Sequence, residues 1–371
     1  MLNNPERPIN MGLKKMIAEE GAINRIGALA ACYGQKAFII GGTTALSKAI
    51  DQLKTTLDEA NVSYFIREFK GFCSKKSLEM LQTEALKYGA NLLIAVGGGS
   101  VMDTVKAVGY WLKLPVITVP TIVATCAAWA PLSVMYTEEH FPDGGLNTYA
   151  PEYVICDYSI IKDNPRRFFA AGLGDSLAKW PELGVAGSPT PCYASGVSLA
   201  AHIYKECLDL ASKFAKHSGP PINDIKLLGA IIDQVVILTG LSSELTSGAM
   251  GGSDYPLVAH GVDNALLCYS HKSHEFLHGE RVSFGILPHL LISNAPKVRV
   301  EETMRFLVTL GLPTKLEDFG LSESDIPHLS QKIYDAPGIS NTGVKIETIV
   351  RALEETRLLP WDSITSGGDT L

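Results

Sequence analysis

Basic clusters are what this chain most plainly does without. No run of lysine or arginine exceeds the pairs Lys75-Lys76 and Arg166-Arg167, and 39 acidic residues against 32 basic ones give a formal charge of −7. A polyphosphate backbone needs a concentrated basic face, so no nucleic-acid partner is expected. Charge of either sign is scarce, 19% of 371 residues against 46% apolar, which excludes a disordered chain. No apolar run approaches the roughly 20 residues that span a bilayer; the longest candidate, Ala90 to Val96, runs into glycines. The start, Met1-Leu2-Asn3-Asn4-Pro5-Glu6, has no apolar signal core. A cytoplasmic protein with no membrane partner is the expectation. Paired cysteines are missing too: seven (32, 73, 126, 156, 192, 207 and 268) make an odd set without a CxxC, which argues against a disulfide frame or a zinc ribbon and for a reducing compartment.

What is present suffices for two domains, since a chain of this length outgrows one core. From about Gln35 to Asp157, short β-branched runs alternate with helix-period segments, the pattern of parallel βαβ units. Strands are predicted at Lys36-Ala37-Phe38-Ile39-Ile40, at 62–66, at 91–96 and at 115–119, with Ser74 capping a helix that carries Leu78, Leu81 and Leu86. Beyond about Pro165 helix-period stretches take over, at 195–216, 222–238, 281–292, 300–310, 330–335 and 346–358. The shift at Asn164-Pro165 predicts an α/β domain over 1–164 and an all-α domain over 165–371, with cofactor and small-molecule substrate in the crevice between them.

The third strand delivers Gly97-Gly98-Gly99-Ser100 into a helix, which sets backbone N–H groups and a positive helix end where a pyrophosphate can rest. GxGxxG itself is absent, and a glycine turn without a ligand is the plain alternative. Asp103, just inside that helix, suits its positive end. The turn after the first strand, Gly41-Gly42-Thr43-Thr44, lacks the acid that holds an NAD ribose and repels a 2′-phosphate, so NADP(H) is favoured with NAD(H) left open.

Three further segments stand in order: Ala170-Ala171-Gly172-Leu173-Gly174-Asp175-Ser176-Leu177-Ala178-Lys179-Trp180, Val258-Ala259-His260-Gly261-Val262-Asp263-Asn264, and Phe276-Leu277-His278-Gly279-Glu280-Arg281. A single Asp or His is most often structural. With the Gly97 loop and Val119-Pro120-Thr121-Ile122-Val123-Ala124-Thr125, however, these make five segments in register, and together they resemble the iron-containing alcohol dehydrogenase and glycerol dehydrogenase family. The resemblance implies a Rossmann-like α/β domain followed by a helical metal-binding domain, the dehydroquinate synthase-like architecture, in a homo-oligomer. It implies that Asp175, His260 and His278 hold one divalent ion, leaving an open position at which an alcohol or carbonyl oxygen is polarised. It further implies dinucleotide contacts from Gly41, Gly42, Thr43, Gly97, Gly98, Gly99, Ser100, Val101, Met102, Thr121, Ile122, Ala124, Leu132 and Tyr136. Zinc is favoured over iron, because the family's fourth ligand, a histidine one turn after Asp175, is Lys179 here. His271 and His274 form a rival trio with His278 by spacing alone.

Four departures bear on the substrate. Cys126 replaces the aspartate of typical glycerol dehydrogenases, and Thr125-Cys126-Ala127-Ala128-Trp129 with the Asp175 segment looks most similar to the hydroxycarboxylate dehydrogenase A branch, which interconverts 2-oxo and 2-hydroxy acids. Lys179 then either pairs with a substrate carboxylate or serves as a salt-bridged helix lysine. Asp263 stands three residues after His260, where the family often has a proton-relaying histidine, and is itself expected to relay a proton through water or to bind a cationic or polyol substrate. Pro181 is expected to bend or end the helix that carries Asp175. The expected activity is metal-dependent, NAD(P)-linked interconversion of a small polar alcohol and carbonyl. Polyol dehydrogenase and carbonyl or imine reductase are the alternatives, with a sugar-phosphate cyclase or a non-catalytic descendant further off.

Overall fold

The structure, a computed structural model, describes residues 14–184, 194–217, 219–246, 257–336, 339, 342–361 and 364. Cys192 lies outside them, and none of the other six cysteines is in a disulfide. The described residues fall into two compact units, one of 14–165 with 219–240 and one of 166–217 with 241–364. The composition shift places 219–240 with the helical half, whereas these residues group with the sheet. There the Ile222 N–H donates to the Lys162 carbonyl at 3.0 Å, and Gly229 lies against the Tyr158 hydroxyl, contacts to which composition is blind.

The α/β unit holds β1 (Met16–Glu19), α1 (Ile26–Ala31), β2 (Lys36–Gly41), α2 (Thr43–Glu59), β3 (Ser63–Glu68), α3 (Lys75–Tyr88), β4 (Leu92–Gly97), α4 (Gly99–Leu112), β5 (Val116–Pro120), β6 (Leu132–Tyr136), β7 (Pro142–Asn147), β8 (Tyr153–Asp157) and α5 (Tyr158–Ile161). Six strands make one parallel sheet in the order β1-β8-β5-β4-β2-β3, and β6 and β7 form a separate antiparallel hairpin. β1, β8 and the hairpin join the four strands read from the sequence. All six residues of β4 and five of six in β2 are buried, as strands covered on both faces should be. β3, at the edge, exposes Phe65 and ends in Arg67-Glu68. The Ser74 side chain caps α3 by accepting from the Ser77 N–H at 3.3 Å.

Chain order reverses between β2 and β4. After β2 the chain moves outward to β3, and after β4 it moves the other way to β5, so the Gly41 and Gly97 turns flank a topological switch point.

α8 (Ile225–Ile232), a π-helical stretch Asp233–Leu238 and α9 (Thr239–Thr246) follow one another without a break. Contrary to the reading of apolar runs, Ile225–Ser243 is long and apolar enough to cross a bilayer; more than half of it is buried, as in the core helix of a globular unit.

The second unit is built from α6 (Arg166–Gly184), α7 (Ala194–Ala215), α10 (Val258–Tyr269), α11 (His278–Ile292), α12 (Lys297–Leu310), α13 (Ile326–Tyr334) and α14 (Ile346–Arg357), with no strand among its described residues. Leu266, Phe284, Phe319, Leu329, Ile333 and Leu353 belong to one of its apolar clusters.

Candidate metal centre and dinucleotide cradle

Three helices of the second unit approach at glycines. A Cβ on Gly279 of α11 would lie 1.9 Å from the Ala171 carbonyl oxygen of α6, one on Gly174 would meet Ser283 at 2.9 Å, and one on Gly285 would meet the Ala259 backbone of α10 at 2.7 Å. Each close approach has a neighbour of interest: Asp175 follows Gly174, His260 follows Ala259 and His278 precedes Gly279. Asp175 Oδ1 consequently lies 3.7 Å from His260 Nε2 and 3.8 Å from His278 Nε2.

These three are the residues that the sequence nominates, and among the described residues they form the one group of three or more such side chains whose donor atoms lie within 4.8 Å of one another. His271 and His274 sit on a short 3-10 turn and take no part. Donors about 2.1 Å from one tetrahedral ion lie roughly 3.4 Å apart, close to the observed spacing. Asp175 is 1% exposed and its Oδ1 has no hydrogen-bond partner. Burial opposes its ionisation, but the His260 contact and the charges of His278 and Lys179 outweigh burial and hold the carboxyl down to about 2. A buried, ionised oxygen lacking a donor is what a divalent cation would satisfy.

Both imidazoles are held from behind. His260 Nδ1 is 2.8 Å from Glu182 Oε1, and His278 Nδ1 is 2.9 Å from Asp263 Oδ2. A carboxylate only accepts, so each Nδ1 carries the proton and each Nε2 presents its lone pair, the form that a metal requires. Burial opposes a charge on His260 and Glu182 favours one, the balance lying at about 9. Lys179 Nζ, however, lies 2.9 Å from the same Nε2, and a proton there would face two cations at each other, so the bare Nε2 is the form this contact allows.

Two expectations change here. Both Asp263 oxygens are engaged, Oδ2 with His278 Nδ1 at 2.9 Å and Oδ1 with Arg281 Nε at 2.6 Å, a placement that suits orienting His278 more than relaying a proton. Pro181 does not end its helix, which runs on to Gly184 and so presents Glu182. Glu182 is the residue that sequence reasoning missed, although Asp175, Lys179 and Glu182 at i, i+4 and i+7 share one helix face. Glu182→Ala should weaken divalent-metal affinity by about 100-fold and Glu182→Gln by about 10-fold, measured by competition with a chromophoric chelator.

In the α/β unit, β2 and β4 pair with Gly41 opposite Val96, and each strand opens into a helix whose first residue follows a glycine. No side chain caps either helix, α2 behind Gly42 or α4 behind Gly98, so both N-termini can meet phosphate. A Cβ on Gly98 would strike Ile122 at 2.7 Å, and the Thr121 N–H donates to the Gly97 carbonyl at 3.0 Å, which brings the Thr121 to Ala124 segment against the glycine turn. Gly98 and Gly99 are half-buried and Ser100 is exposed, whereas Val101 and Met102 are buried with both N–H groups given to the Gly98 carbonyl, leaving them no N–H to offer a phosphate. Leu132 and Tyr136 lie on β6, and Cys126 is buried in the turn that closes onto Trp129 and Ala130. Asp103 pairs at 3.0 Å with buried Lys106, whose ammonium also donates to the Ala130 and Leu132 carbonyls.

The preference for NADP(H) rests on a missing acid at Gly41-Gly42-Thr43-Thr44. The sheet supplies one from next door: Glu68 pairs in register with Gly41, and its Oε1 accepts from Thr43 Oγ1 at 2.6 Å, which removes the ground for that preference.

A sequence profile of the iron-containing alcohol dehydrogenase family matches residues 14–158. The glycerol dehydrogenase of Pseudomonas putida is 30% identical over 358 residues, covering 91% of this chain and 94% of that protein. The chain belongs to the iron-containing alcohol dehydrogenase family. Hydroxycarboxylate dehydrogenase A of Escherichia coli is also 30% identical, over 76% of this chain and 77% of its own length. A crystal structure of a probable glycerol dehydrogenase from Sinorhizobium meliloti 1021 matches 97% of this chain and 99% of that one, with a TM-score of 0.82 and 25% identity. As a member of this family the chain is a metal-dependent oxidoreductase acting on alcohols or polyols, which sets aside the cyclase and the non-catalytic descendant.

Proposed function

We propose that this member of the family interconverts a small 2-hydroxy acid and its 2-oxo acid, with Asp175, His260 and His278 holding zinc and the Gly97 to Ser100 turn holding a nicotinamide dinucleotide. The observation that carries the reading is Lys179, a buried ammonium beside the donor set. A zinc ion there supplies Lewis acidity toward the reacting oxygen. Glu182 and Asp263 keep the two imidazoles in the ligating tautomer, and Arg281 neutralises Asp263. Three carboxylates (Asp175, Glu182 and Asp263) against two cations (Lys179 and Arg281) leave one net negative charge, which a divalent ion turns into one net positive charge. A monocarboxylate substrate balances it. Once His260 Nε2 is taken, Lys179 needs another acceptor, and a substrate carboxylate is a suitable one.

A second reading keeps Lys179 structural. Glu182 Oε2 is buried without a hydrogen bond, 4.0 Å from Lys179 Nζ, and a lysine drawn to it leaves room for a neutral polyol, as the glycerol dehydrogenase relatives suggest. Oxidation of NADH and NADPH with 2-oxo acids and with dihydroxyacetone separates the two. Lys179→Ala should raise KM for 2-oxo acids by about 10–100-fold, the worth of a hydrogen bond to a charged group, and affect dihydroxyacetone less. Equal effects on both, or turnover of polyols alone, would favour the second reading.

A further inference from the structure

At the end of the strand next to β2 stands an acid, Glu68. β3 lies beside β2 with Glu68 opposite Gly41, and the Phe69 N–H donates to the Gly41 carbonyl at 2.8 Å, pinning the end of β3 to the end of β2. From there the Glu68 side chain leans across to the first residue of α2, where Thr43 Oγ1 donates to it at 2.6 Å. Gly42, between the strand and Thr43, faces empty space: a Cβ there would meet nothing within 4 Å. In dinucleotide folds a carboxylate at the end of the strand beside the glycine loop takes the adenosine ribose. Here that strand is β2, whose own turn has only glycines and threonines, and the next strand out sends a longer side chain over the gap.

We propose that Glu68 is the ribose-recognising carboxylate of this enzyme, accepting from the adenosine ribose hydroxyls and repelling a 2′-phosphate, so that the chain selects NAD(H) over NADP(H). Thr43 orients it by occupying Oε1. Thr43 and the neighbouring Lys70 also hold the carboxyl below its ordinary range, so it stays ionised at neutral pH. Lys70 Nζ pairs with Glu68 at 2.9 Å, but its side chain is 76% exposed, and such a surface pair yields readily to a ribose. Lys70 is also the group that would hold a 2′-phosphate if Glu68 did not dominate, so the sign of the preference is a fair test. This inference rests on the reading that the Gly97 turn takes a nicotinamide dinucleotide.

Equilibrium binding of NADH and of NADPH to the full-length protein, followed by nicotinamide fluorescence without substrate, tests it. The parent should bind NADH at least about 30-fold more tightly than NADPH, the effect of placing like charges together. Glu68→Gln should bring the ratio to within about threefold, mostly through tighter NADPH, and Glu68→Lys should invert it. Glu68 is exposed at a sheet edge, and an unchanged melting temperature in both variants shows that the fold is kept. A parent that binds NADPH as well as NADH, or a ratio unmoved by either variant, overturns the assignment of Glu68. Failure of both nucleotides to bind the parent overturns the dinucleotide reading itself, a result distinct from any change in the ratio.

Discussion

Asp175→Ala is expected to yield a folded protein that retains no stoichiometric divalent ion and turns over about 10³-fold more slowly at saturating nucleotide. The figure follows from the several kcal/mol that a Lewis acid contributes to a developing charge, at about 1.4 kcal/mol per decade. On the proposed ligand set, two imidazoles alone remain, and a two-ligand site does not hold zinc against a chelator. Elemental analysis after dialysis and kcat/KM with a carbonyl substrate should fall together. A metal-free melting curve supplies the control. His260, His278 and Lys179 hold the Asp175 carboxyl below its ordinary range, so Asp175→Ala should lower the melting temperature of the metal-stripped protein, and a single cooperative transition shows that the fold is kept. Full metal content in Asp175→Ala would show that the ligand set is misassigned.

Lys106→Met should destabilise the α/β unit by about 3–5 kcal/mol, read as a lower denaturant midpoint at unchanged slope. The Lys106 ammonium is buried and serves three acceptors: the Asp103 carboxylate and the Ala130 and Leu132 carbonyls. Asp103 in turn accepts from the Val134 N–H at 3.2 Å. Removing the cation therefore takes one charged donor from a buried carboxylate and from two carbonyls, a larger loss than the deleted methylene contacts. Because the bonds run from α4 to the segment between Cys126 and Val134, nucleotide affinity should fall along with stability. A double variant, Asp103→Leu with Lys106→Met, should recover part of the loss, since no bare charge remains buried. A single variant within 1 kcal/mol of the parent would show that the pair is solvated.

The parts of the site legible in the sequence were those written as local patterns. Gly97-Gly98-Gly99-Ser100 between a buried apolar run and a helix-period segment can fold in few ways, and Asp175, His260 and His278 stood in segments specific enough to be read in order. The missed parts are contacts between segments. Glu182 was hidden behind Pro181, where the cost of a helix-interior proline argued for a stop that the surrounding packing overrides. Asp263 stands three residues from His260 in sequence but serves His278 on another helix. Glu68 is invisible in chain order because the turn after β2 holds no acid, whereas sheet register brings one from β3. Residues 219–240 look helical, and only their long-range bonds show that they belong with the sheet.

The glycine approaches among α6, α10 and α11 have a thermodynamic corollary. Because Gly174, Gly279 and Gly285 let main chain rest on main chain, the spacing of Asp175, His260 and His278 depends on the stiffest part of each helix and little on side-chain rotamers. The entropy of gathering three ligands is therefore lost during folding, and an arriving ion orders almost nothing. Such a site should capture metal with a small heat-capacity change and little change in the circular dichroism of the protein.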